Sequence, residues 1–134
     1  MTAGGDFVYL DTSVALAHLL SASIAPPEEM WGEALVSSRL LEYEVRTRLH
    51  AMDLEESHGP LAEELLSQVA LLEMVRPVVG RLGEHLPAPL RTLDALHLAS
   101  MVFLREQGAE PRLASYDQRL NAAAERLGFR LYPL

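Results

Sequence analysis

Two residue types are absent from this 134-residue chain, cysteine and lysine. Without cysteine there is no disulfide, no zinc–thiolate site and no thiol nucleophile. All 11 basic residues are arginine, which excludes phosphate chemistry built on a lysine, such as the P-loop. Long apolar runs are missing as well. The longest candidate, Ala95–Leu104, is interrupted by His97 and too short to cross a bilayer. Met1–Asp6 has no basic segment ahead of an apolar run, which argues against a signal peptide. Positive charge is scarce, and a net charge of −8 gives no general attraction to nucleic acid or to anionic membranes. Any polyanion handled here has to be met by local features and counter-ions. These absences predict a soluble cytoplasmic protein with no membrane contact.

What is present is a folded globule. Hydrophobic residues make up 49% of the chain, and the length suits one domain over residues 1–134. Such a domain buries roughly two-thirds of its unfolded surface. Phe7-Val8-Tyr9-Leu10 reads as a buried strand running into Asp11-Thr12-Ser13. Ser13–Leu20 reads as a short helix, and Pro26 and Pro27 open a further helical turn containing Glu28, Glu29 and Trp31. Ala34–Ser37 is a second strand candidate. Leu41, Val45, Leu49 and Met52 then fall at helical spacing, with Ser38 as N-cap.

The spacing of Leu61, Leu65, Val69 and Leu72 predicts a helix opened by His58-Gly59-Pro60 and running to about Leu72. Glu73–Arg76 reads as a weak third strand stopped by Pro77. Val78–Leu86 reads as a helix with a glycine interruption, and Pro87 and Pro89 mark a loop. Leu93–Gln107 is a long helix, apolar nearly all round in its middle and therefore buried on more than one side. Arg112–Ser115 is a fourth strand. Asp117–Leu127 is a helix closed by Gly128, and Phe129–Tyr132 is a last short strand. Strands alternating with helices predict an α/β fold, a mainly parallel sheet covered on both faces.

Asp11 and Asp117 directly follow strand candidates, Glu44 lies in the second turn of the helix after the second strand, and Asp94 starts the most buried helix. If the strands are parallel neighbours, these acids converge on one edge of the sheet. Four carboxylates together repel one another unless divalent cations intervene, and an all-oxygen donor set favours Mg²⁺ or Mn²⁺ over zinc. Each acid also has a plainer role. Asp11 and Asp117 are good N-caps, Asp94 complements the positive end of its helix, and Glu44 has Arg48 four residues on for an ion pair. Glu42 stands in the same position toward Arg46. Ser13 and Ser115 are placed to bond a carboxylate, a metal-bound water or a local turn. The five histidines, His18, His50, His58, His85 and His97, form no metal-ligand spacing, and His97 reads as a satisfied core residue. Glu55, Glu56, Glu63 and Glu64 read as a solvated face.

With those residues in view, the chain resembles the PIN-domain ribonucleases, specifically the VapC-type toxins of type II toxin–antitoxin pairs. The resemblance rests on VYLDTSV at Val8–Val14, SRLLEYEV at Ser38–Val45, LDALHLAS at Leu93–Ser100 and SYDQRLNAAAERLGF at Ser115–Phe129. It covers nearly the whole chain and is weakest over Ser57–Pro89. It implies a PIN-like three-layer domain and places the family's acidic tetrad on Asp11, Glu44, Asp94 and Asp117. Glu42 competes for the second of these positions, and the motif's spacing from its serine favours Glu44. The family's small hydroxyl residue falls on Ser115, and Ser13 is a further candidate partner of the acids.

The implied activity is Mg²⁺- or Mn²⁺-dependent hydrolysis of RNA phosphodiester bonds. Two divalent ions would halve the formal charge of −8. Arg39, Arg46, Arg48, Arg91 and Arg119 flank the acids as phosphate-contact or ion-pairing residues. The implied partners are a cognate antitoxin protein and a second copy of the chain. Three other readings compete. One is a catalytically inactive PIN-like module that binds protein or RNA. Another is a receiver-like or haloacid-dehalogenase-like phosphotransfer domain, disfavoured by the missing lysine and by Thr12-Ser13 after Asp11. The third is a generic dimerising α/β protein.

Overall fold

The computed structural model describes residues 6–21, 23–83 and 90–134. Strands Asp6–Leu10 (β1), Leu35–Ser38 (β2), Val69–Leu72 (β3) and Glu110–Ala114 (β4) form one sheet in the order β3-β2-β1-β4. All its pairings are parallel. The helices are Thr12–Leu20 (α1), Leu40–Ala51 (α2), Glu55–Ser67 (α3), Arg76–Val79 (α4), Thr92–Glu106 (α5) and Gln118–Arg126 (α6).

The alternation of β1 divides the core. Val8 and Leu10 point into a cluster with Val14, Leu19, Leu41, Val45, Leu49 and Leu65, from α1, α2 and α3. Tyr9, between them in sequence, joins Val36, Leu113, Leu98, Met101 and Leu120 on the opposite face, under α5 and α6. Period-two alternation with apolar side chains on both faces is what a strand covered on two sides requires. The result is a three-layer α/β/α architecture.

From β1 the chain moves outward to β2 and β3, then returns to place β4 on the other side of β1. The order therefore reverses between β1 and β4, and in open parallel sheets ligand sites form outside the strand ends at that reversal. The ladder ends with Leu10 opposite Ala114, so Asp11 and Ser115 leave the sheet side by side. The Asp11 N–H donates to the Ala114 carbonyl at 3.0 Å. Gly108 and Gly128, at φ of +97° and +88°, terminate α5 and α6 in the left-handed conformation that glycine adopts without strain.

Several sequence expectations change. The helix expected from His58 to Leu72 begins earlier, at Glu55, accommodates Pro60 internally and ends at Ser67. Leu61 faces water, and Val69–Leu72 is strand β3. Four consecutive apolar residues fit either period, and the open edge of β2 decides by pairing Leu35 with Val69 and Ser38 with Leu72. The strand expected at Glu73–Arg76 is absent, because the sheet ends at Leu72. Pro77 opens α4, where its missing N–H costs nothing, rather than stopping a strand.

The expected helix over Val78–Leu86 reduces to the end of α4 and a 3-10 turn, Gly80–Gly83. Its remainder, the Pro87–Pro89 loop and His85 lie outside the described residues. The last strand shrinks to a single bridge between Leu131 and Leu113. Ser38 closes β2 instead of occupying the cap position of α2, although its hydroxyl still accepts from the Leu40 N–H at 3.1 Å. Among the described residues, no helix is long and apolar enough to cross a membrane.

Candidate active site

Asp11 is buried at the end of β1, where an unpartnered carboxylate is costly. Three protein groups compensate it, all on one oxygen. Oδ2 accepts from the Ser13 hydroxyl at 2.6 Å, the Ser115 hydroxyl at 2.8 Å and, more weakly, the Ser13 N–H at 3.4 Å, which caps α1. The serines are held in turn. Ser13 Oγ accepts from the Tyr116 N–H, and Ser115 Oγ accepts from the Asp117 N–H. The loop after β4 is thereby tied to the loop after β1.

Glu44 lies on α2 and is bonded through one oxygen too. Oε1 accepts from the Thr12 hydroxyl at 2.6 Å and meets His97 Nε2 at 2.8 Å. His97 is 1% exposed, and its Nδ1 stands 2.8 Å from the Tyr9 hydroxyl. Burial pushes the Tyr9 pKa up, so that hydroxyl keeps its proton. The imidazole tautomer with its proton on Nε2 satisfies the whole chain, Tyr9 donating to His97 and His97 to Glu44. Burial alone would raise the Glu44 pKa, but the bonds from His97 and Thr12 outweigh it and the net direction is downward. The Glu44–Arg48 ion pair suggested by the spacing does not form among the described residues. Glu42 makes the ion pairs instead, to Arg39 at 3.1 Å and Arg46 at 3.3 Å, on the exposed side of α2.

Asp117 caps α6, with Oδ1 accepting from the N–H groups of Arg119 at 2.9 Å and Leu120 at 3.2 Å. Asp94 stands in the first turn of α5 and has no hydrogen-bond or ion-pair partner among the described residues. Burial first, then the charges of Asp117, Asp11 and Glu44, push its pKa upward; His97 opposes them. Asp94 thus feels all three other acids.

In Asp11, Glu44 and Asp117 the protein occupies one carboxylate oxygen and leaves the other without a donor among the described residues. Capping and cation binding are compatible at these positions. The donor set is all oxygen, which suits Mg²⁺ or Mn²⁺. The acids do not form a ready-made cage: among the described residues, no three His, Asp or Glu side chains are grouped tightly enough to hold an ion.

Among the described residues, the acids are divided between clefts. Asp94 and Asp117 line a cleft of about 260 Å³ with Leu90, Arg91 and Arg119. Glu44 lines another of about 280 Å³. A further cleft of about 500 Å³, between α1, α3 and the Glu28–Gly32 turn, contains none of them. Of the flanking arginines, Arg39 and Arg46 are engaged in ion pairs, whereas Arg48, Arg91 and Arg119 have no acidic partner among the described residues.

A family model described as PIN domain matches residues 8–126 of the chain. The chain belongs to the PIN domain family. It is 34% identical over 132 residues to Ribonuclease VapC46 of Mycobacterium tuberculosis, a match covering 90% of this chain and 92% of that protein. It is 29% identical over 129 residues to Ribonuclease VapC47 of the same species, covering 91% and 93%. No solved structure matches it significantly. The PIN match runs from β1 to the end of α6 and so takes in all four acids.

Three residues of this PIN chain contribute to the site without standing out in sequence: Thr12, His97 and Tyr9. His97 is the satisfied core residue that its apolar neighbours predict, yet the group that satisfies it is Glu44. It follows Asp94 on α5 by about one helical turn, and that spacing was the available signal. Tyr9 carried none, since its partner is 88 positions away.

Proposed function

We propose that this chain is a metal-dependent endoribonuclease of the VapC kind, with residues 1–134 acting as one PIN domain. Asp11, Glu44, Asp94 and Asp117 are the acids that hold Mg²⁺ or Mn²⁺ at the carboxyl edge of β1 and β4. The observation that carries this reading is Asp94, a carboxylate without a partner that feels three other carboxylates, of which each keeps one oxygen free. A bound divalent cation supplies charge neutralisation and a water of lowered pKa for attack on a phosphodiester.

The chain's own residues prepare that site. Ser13 and Ser115 fix Asp11 through Oδ2. Thr12 and His97 fix Glu44 through Oε1. The α6 backbone fixes Asp117 through Oδ1. Arg91 and Arg119, in the cleft with Asp94 and Asp117, offset the chain's negative charge where a phosphate approaches. The VapC likeness supports RNA as substrate, a cognate antitoxin as inhibitor, homodimerisation and a cytoplasmic location.

Incubation of purified protein with total RNA tests the reading. Discrete fragments are expected with Mn²⁺ or Mg²⁺, and none with chelator. Absence of metal-dependent cleavage across all RNA classes would contradict it and favour an inactive PIN-like module that binds protein or RNA.

A further inference from the structure

The cleft beside Glu44 has features that the acid site does not use. Tyr43, adjacent to Glu44 on α2, is 65% exposed and lines this cleft. Leu93, one residue before Asp94, forms an apolar wall and is 41% exposed. Thr12, Thr47 and Arg48 supply polar groups, and Arg48 has no acidic partner among the described residues. On α2, Tyr43 and Thr47 are four residues apart, as are Glu44 and Arg48, so the aromatic ring and the guanidinium occupy neighbouring rows of one face.

The cleft of Asp94 and Asp117 lies across the Leu93–Asp94 step and carries Arg91 and Arg119. The acids are therefore flanked by two unlike recesses, one with an aromatic ring and one arginine, the other with two arginines and no aromatic residue. An unpaired nucleotide strand has this alternation, offering a base face for stacking and phosphates for arginine. A duplex keeps its base faces covered and has nothing to offer Tyr43.

We propose that the cleft beside Glu44 is a nucleobase subsite, in which an unpaired base next to the bond to be cut stacks on Tyr43 and Arg48 holds its phosphate. The proposal rests on the reading of the four acids as an RNA-cleaving centre. The strand continues past Asp94 to Arg91 and Arg119. Selectivity for single-stranded over duplex RNA follows from the need for an exposed base. The sequence of the strand is read weakly there, since every base has a face to stack.

Fluorescence anisotropy with short mixed-sequence single-stranded RNA in Mn²⁺ tests this, using Asp94→Asn protein to prevent cleavage. Tyr43→Ala in that background is expected to weaken binding roughly 5- to 150-fold, the range of alanine substitutions at base-stacking aromatics. Tyr43→Phe is expected to bind like the parent, and Tyr43→Leu to fall with alanine. An oligomer of abasic ribose phosphates is expected to bind the parent and the Tyr43→Ala protein alike, as is duplex RNA.

Unchanged single-strand binding by Tyr43→Ala would overturn the subsite, as would full recovery by Tyr43→Leu, and would leave the cleft to a protein partner. The nuclease reading is checked separately by cleavage with Asp94 intact. If that protein cuts RNA and Tyr43→Ala cuts equally well at limiting substrate, only the subsite fails. If it cuts nothing, both fail.

Discussion

Asp94→Asn is expected to abolish metal-dependent RNA cleavage while raising the melting temperature of the metal-free protein at neutral pH. The loss of activity should reach at least ~10²–10³-fold, the usual cost of removing one electrostatic stabiliser at a reacting centre. The gain in stability follows from the upward pKa shift of Asp94, caused by burial and by Asp117, Asp11 and Glu44. A carboxyl whose folded pKa lies above its unfolded one binds a proton more readily in the fold, so stability falls as pH rises through that window. The penalty is absent below the ordinary aspartate pKa of ~3.9 and complete above the folded value. Asparagine keeps the shape and removes the charge. Melting curves should therefore separate mutant from parent at neutral pH and converge in acid. A mutant less stable than its parent at neutral pH would mean that Asp94 has a compensating partner after all.

Glu44→Gln and Glu42→Gln should part company completely, although the two positions are neighbours in the same motif. Glu42 is tied to Arg39 and Arg46 on the exposed side of α2, and such pairs contribute only ~0–1 kcal/mol. Glu42→Gln should leave cleavage and metal binding close to the parent's. Glu44 accepts from Thr12 and a buried His97, so its neutralisation removes a charged acid from the site and weakens a bond to a histidine with no access to water. Cleavage should fall by more than the ~10–100-fold typical of changes to residues that merely support a metal ligand.

Stability should move opposite to that of Asp94→Asn. The depressed Glu44 pKa means that its contribution is present above the unfolded pKa and is lost as pH falls through the folded one. Steady-state cleavage and thermal melts on the two glutamine variants check this. Equal activity losses would place Glu42 in the site as well.

The contrast marks how far the sequence could be read. The motif's spacing favours Glu44 over Glu42, and what sets them apart physically is two side chains from α1 and α5, Thr12 and His97. Strand β1 was legible because its apolar run must be buried and Asp11 must then emerge at its end. The ends of α5 and α6 were legible through Gly108 and Gly128, which take a backbone conformation other residues resist. Strand β3 was not. Val69–Leu72 continues the helical spacing of Leu61 and Leu65, and only the free edge of β2 makes it a strand.

The pairing of Asp11 with Ser115 was legible only as nearness to the acids. It depends on the register of β1 against β4, which places positions 104 residues apart side by side. The arginines sorted only in three dimensions, Arg39 and Arg46 into ion pairs and Arg48, Arg91 and Arg119 into the clefts around the acids.

Thermal melting under Mn²⁺ titration reads whether Asp11, Glu44, Asp94 and Asp117 act together on a divalent cation. A cation that binds only the folded chain adds about 2.7 kcal/mol of stability at 100 times its dissociation constant. The melting temperature should climb with Mn²⁺ in the parent and in Glu42→Gln. In Asp11→Asn most of that climb should vanish, since asparagine retains the cap on α1 but not the charge. A melting temperature indifferent to Mn²⁺, or one that rises equally in Asp11→Asn, would contradict joint cation binding by these acids.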